Sequence, residues 1–212
     1  MKLATIVLMG IALLGSLVPL NANGPAGPGK VAIAFTGGSV WNADGVSGTC
    51  KWYLPLVGGL GVATPNGGAA SITPALFSDP ANPNNTTAYL VWVSDFKIVT
   101  LSNGPWTLFL GATGTGTIYF SATPSLAYWN DPATYGEPVA TFVRNAGMGQ
   151  TTDNFASDTF TFTADLVSSK TFTLNGQPVN FKILIPHGMT CFENGMNFSS
   201  TEAGTCIASG TQ

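Results

Sequence analysis

Residues 185–206, IPHGMTCFENGMNFSSTEAGTC, hold the chain's single histidine, two of its three cysteines and two of its ten acidic residues. Thiol catalysis would need His187 to take the proton of Cys191. Their spacing of four suits one face of a helix, but Pro186 and Gly188 bracket the histidine and discourage a helix. An exported chain also meets an oxidising environment, where cysteines pair. A Cys191–Cys206 disulfide is the favoured pairing, with a bridge from Cys50 to either partner as the alternative. Closing that loop is worth about 3 kcal/mol on chain entropy. The segment therefore reads as a clipped polar loop near the C-terminus, with His187 at a turn.

Other chemistries find less support. A serine triad would have to use the same His187, and no GxSxG elbow occurs. Carboxylate catalysis needs two acids a few Å apart in a cleft. Asp95, Asp131, Glu137, Asp158 and Glu193 are candidates, and nothing in the sequence pairs them. No ligand spacing suits zinc. VWNADG sets Asn42, Asp44 and Gly45 like part of a calcium loop, but Val40 and Lys51 stand where the first and last carboxylates belong, so it reads as a turn. Gly24, Gly29 and Lys30 have phosphate-loop spacing, yet Val31 replaces the hydroxyl residue and no strand precedes them. No metal and no cofactor is implied. One aromatic constellation remains: Tyr128, Trp129, Asn130, Asp131 and Tyr135, outside any strand pattern, could stack on a sugar ring and hydrogen-bond its hydroxyls. The competing reading folds Trp129 or Tyr135 back as a cap on the core.

Composition narrows the setting. Lys2, an apolar run from Leu3 to Leu14, then Gly15, Ser16, Pro19 and Ala22 form the layout of a secretory signal peptide over 1–22. The expected location is secreted, extracellular or periplasmic, with no membrane span once the leader is cleaved. NGPAGPG over 23–29 is a Gly/Pro linker, and 30–212 is one domain. Only 8% of residues are charged, against roughly 25% in ordinary soluble proteins. Without Lys2 the chain keeps six basic and ten acidic residues, a net charge of −4. No basic patch exists to neutralise phosphates, which disfavours nucleic acid and anionic membranes.

The elements that must position any site are strands. KVAIAFT (30–36) and EPVATFVRN (137–145) are short apolar runs. TAYLVWVSDFKIVTL (87–101) is apolar on both faces and predicts a central strand bent near Ser94 and Asp95. WTLFLGA (106–112) and GTIYFSA (116–122) flank GATGTG, which predicts a hairpin connection. Phe160, Phe162 and Ala164 alternate with Thr159, Thr161 and Thr163, a period of two. Asn175-Gly176 predicts a type I′ turn joining 170–174 to 177–182. Helix is limited to short pieces near 74–77 and 124–129. The expected fold is all-β, a single antiparallel sandwich or barrel with little helix.

The scarcity of titratable groups favours a non-catalytic secreted domain that binds or self-assembles outside the cell, with a carbohydrate, a cell-surface component or a second copy as partner. The alternatives are a small carboxylate-dependent hydrolase and a barrel that carries an apolar small molecule.

Overall fold

The computed structural model describes residues 26–58, 60–61, 76–125, 130–152, 156–196 and 201–210. The leader, Tyr128 and Trp129 lie outside them, as do residues 74–75 and 126–129 of the two expected helical pieces at 74–77 and 124–129. The chain forms β1 (Val31–Trp41), β2 (Ser47–Val57), β3 (Leu60–Gly61), β4 (Leu90–Asn103), β5 (Trp106–Phe120), β6 (Glu137–Thr152) and β7 (Ser157–Ser169). A small hairpin, β8 (Phe172–Leu174) with β9 (Gln177–Val179), and a one-turn helix α1 (Phe181–Leu184) follow, then β10 (Met189–Met196) and β11 (Thr201–Ala208).

Eight of these strands close into an antiparallel barrel. Each pairs with the next along the chain in the order β1, β2, β4, β5, β6, β7, β10, β11, and β11 returns to β1. Of the two architectures open from sequence, the barrel is the one formed. The reason is visible in strand length: 11 to 16 residues in β1, β2 and β4–β7 allow the tilt and coiling that bring the first strand back to the last.

The Gly-rich GATGTG is not a hairpin. It lies inside β5, which runs unbroken from Trp106 to Phe120. Gly111, at φ 63°, sits at a bulge opposite β4, between the Val99–Leu110 and Lys97–Thr113 pairs. A Cβ on Gly116 would stand 2.2 Å from Nε1 of the buried Trp92. These glycines bend a long strand and make room for an indole, rather than reversing the chain. The bulge also places the irregularity of β4 between Lys97 and Val99, beyond the expected bend at Ser94 and Asp95.

Inward positions fill the barrel. Phe35, Trp52, Trp92 and Phe162 are buried at its middle, with Phe35–Trp52 centroids 4.6 Å apart and Trp52–Trp92 5.0 Å apart. One end is plugged by β8, β9 and α1, which bury Phe172, Leu174, Val179, Phe181 and Leu184. Phe172 meets Phe120 at 4.7 Å and Phe181 meets Phe142 at 6.2 Å. Asn175 (φ 49°) and Gly176 (φ 79°) both take positive φ, as a type I′ turn requires. The second strand of that hairpin stops at Val179, because Asn180 caps α1 by accepting the Lys182 amide hydrogen at 2.8 Å. The outward positions of β5 and β7 carry threonine at Thr113, Thr115, Thr117, Thr159, Thr161 and Thr163. Among the described residues no helix is long and apolar enough to cross a membrane.

Candidate functional site

The stretch 185–206 is not a loop. Most of it forms β10 and β11, two barrel strands in register at Cys191 and Cys206. The disulfide joins those two residues, while Cys50 is a free buried thiol. His187 is exposed on the turn before β10, and Cys191 is committed to its bridge, so no cysteine–histidine couple forms. Burial pushes the Cys50 thiol up to about 12, which leaves it protonated.

The period of two carries the consequence. Both cysteines point inward, so Glu193, two residues on, and Glu202, four residues back, point inward as well. Their carboxyls hydrogen-bond to each other inside the barrel, at the end opposite the plug. Glu202 is 1% exposed and Glu193 8%. Ser39 Oγ from β1 and Trp52 Nε1 from β2 both donate to Glu202. Burial raises Glu193 well above the ordinary carboxyl value, and the neighbouring Glu202 adds to the rise. Burial raises Glu202 too, but its two donors oppose that. Glu193 is therefore the more readily protonated of the two, and Glu202, which accepts from Ser39 and Trp52, the more readily ionised.

Arg144, from β6, completes the group and is 4% exposed. Its guanidinium lies 4.2 Å over the Phe162 ring and 5.4 Å from that of Trp52. Nη2 donates to Cys50 Sγ at 3.4 Å, and Nε has no hydrogen-bond partner. Asp158 of β7 lines the same space, a cavity of about 30 Å³ walled by Trp41, Phe96, Phe109 and Phe160. That volume holds one or two waters. The arrangement offers an acid (Glu193), a carboxylate base (Glu202) and a cation with spare donors (Arg144), around a water-sized space.

The residues singled out for sugar contact fall elsewhere. Asn130 and Asp131 are exposed, and Asp131 caps a 3₁₀ turn at Pro132–Thr134 by accepting from the Ala133 amide at 3.0 Å. Tyr135 is 5% exposed, packed against Val91 and 5.3 Å from the Tyr119 ring, with Lys51 Nζ 5.5 Å above it. It covers the outside of the barrel and presents no free face. Tyr128 and Trp129 are not among the described residues. The Ser47 hydroxyl donates to Asp44, as do the Val46 and Ser47 amides at 3.0 Å, and these hydrogen bonds hold its carboxyl below the ordinary value, so NADG is a turn between β1 and β2. Among the described residues no group of three or more potential ligands is placed to hold a metal ion.

Neither a family model, nor a curated protein, nor a solved structure matches this chain.

Proposed function

We propose that this chain is an exported barrel whose open end performs acid–base chemistry on a small extracellular molecule, with hydrolysis of an ester or amide as the reaction. One observation carries the reading: two buried carboxyls, Glu193 and Glu202, line the same cavity, and that cavity fits a water. Like charges this close cannot both ionise, which sets one up as acid and the other as base. Glu202 takes a proton from the water as its oxygen attacks the carbonyl carbon. Arg144 faces the charge that develops on the carbonyl oxygen, and Glu193 gives its proton to the leaving oxygen or nitrogen as the acyl C–O or C–N bond breaks, releasing an acid and an alcohol or amine. The proton gained by Glu202 passes back to Glu193 through their hydrogen bond, so one water is consumed and the pair resets. Carboxyls in direct hydrogen bond stand closer than the roughly 5 Å that a retaining glycosidase needs, which is why acyl groups are preferred to glycosides.

The carrier reading loses support, because the barrel middle is packed with aromatic rings rather than hollow. The test is a panel of chromogenic esters, amides and glycosides with the wild type, Glu193→Gln and Glu202→Gln. Acyl hydrolysis lowered at least about 100-fold in both variants supports the proposal. Turnover that survives Glu202→Gln, or none by the wild type on any acyl substrate, overturns it.

A further inference from the structure

Independently of the carboxyl pair, one outer face of the barrel breaks the threonine pattern. On β5 the outward residues Thr113, Thr115 and Thr117 give way to Leu110, Leu108 and Trp106 toward the open end. Val99 and Leu101 oppose Leu110 and Leu108 from β4, and Met148 opposes Leu110 from β6. These six side chains are 39–65% exposed. They occupy adjoining register positions on three neighbouring strands, so they form one continuous surface rather than scattered exposure. Nothing in the core demands them, since the inward positions of the same strands hold Ile98, Phe109 and Ala112.

We infer that this face is where two copies of the chain pack against each other. An apolar surface of several hundred Å² is at the upper end of what a monomer leaves bare. Its border is polar: Thr107, Ser102, Gln150 and Thr161 flank it, Lys97 stands beside Val99 on β4, and across Thr161 the same row reaches the half-exposed Phe192. Six large apolar side chains at 39–65% exposure leave on the order of several hundred Å² bare, a substantial part of the roughly 800 Å² per partner of an ordinary stable interface. None of the six is charged, so the face meets its own copy without repulsion, as an isologous contact requires. An anionic lipid surface is the poorer occupant, because Lys97 at the edge is a single charge where lipid binding draws on a cluster of Lys and Arg.

Sedimentation equilibrium of the purified protein tests this, alongside Leu110→Glu, the milder Leu110→Thr, and Thr115→Glu on the threonine-bearing part of the same strand. The expected result is a dimer for the wild type and Thr115→Glu, with association weakened at least about 30-fold in Leu110→Glu. Leu110→Thr weakens it by less and keeps the wild-type circular dichroism, which guards against a variant that fails to fold. A wild type monomeric at all concentrations, a folded Leu110 variant that still dimerises fully, or a monomer that floats with neutral phosphatidylcholine vesicles would each overturn the inference.

Discussion

The two ends of the barrel are built on the same strands and solve opposite problems. At the plugged end, β8, β9 and α1 fold over the opening, and Phe172, Leu174, Phe181 and Leu184 bring apolar contacts that cooperate with the tryptophans below. At the other end the inward positions turn polar within two to four residues: Phe35 gives way to Ser39 on β1, Phe142 to Arg144 on β6, Phe162 to Asp158 on β7, and Cys191 to Glu193 on β10. The first arrangement gains stability directly from burial. The second carries a desolvation cost that its hydrogen bonds only partly offset. A barrel that needed stability alone would have continued the aromatic filling; the charged end is tolerated by a scaffold stabilised elsewhere, as functional sites commonly are.

That contrast can be broken at either end. The largest loss is expected from the packed half: Trp52→Phe leaves a cavity and strips a donor from Glu202, whereas Phe181→Ala removes a ring without touching any polar group. Phe181→Ala should cost about 3–5 kcal/mol in denaturant unfolding. Replacing both Cys191 and Cys206 by Ala removes the tether between β10 and β11 and should cost about 3 kcal/mol. The charged end should respond differently. Because folding raises Glu193 above its ordinary value, the native state binds more protons than the unfolded chain over that interval. Stability is then greatest below the ordinary carboxyl value and declines as pH climbs through the raised range. Glu193→Gln keeps the shape and cannot ionise, so it should lie within about 1 kcal/mol of wild type in acid and become the more stable protein at alkaline pH. Thermal melts across pH read both effects, and a wild type more stable at pH 8 than at pH 5 through this group would reverse the assignment. The smallest effect belongs to the plug's turn: Gly176→Ala, at φ 79°, should cost about 1 kcal/mol.

Much of the architecture was legible in the chain. Alternating Phe and Thr in 159–164 gave β7 its two faces, and Asn175-Gly176 marked its turn because few other pairs take positive φ twice. The disulfide was legible from cysteine spacing in a chain expected to be exported. The glycines of β5 were not, since a glycine that allows a turn and one that makes room for a ring are the same residue in sequence. The site was missed for a similar reason. Glu193 and Asp158 were visible as isolated acids, while Glu202 and Arg144 drew no notice, because pairing across strands depends on register. One signal was present: if Cys191 and Cys206 are bridged on one face, even spacing puts Glu193 and Glu202 on that face too. A polar, glycine-bearing run suggested a loop, where it forms strands whose inward residues happen to be charged.

Infrared difference spectroscopy between the wild type and Glu193→Gln tests the protonation of Glu193 most directly. At neutral pH the wild type should show the carbonyl stretch of a protonated, hydrogen-bonded carboxylic acid, absent from the variant and fading as alkali ionises the pair. A neutral-pH spectrum with only carboxylate bands would mean that both glutamates are charged, and the acid–base account of the barrel's open end would be wrong.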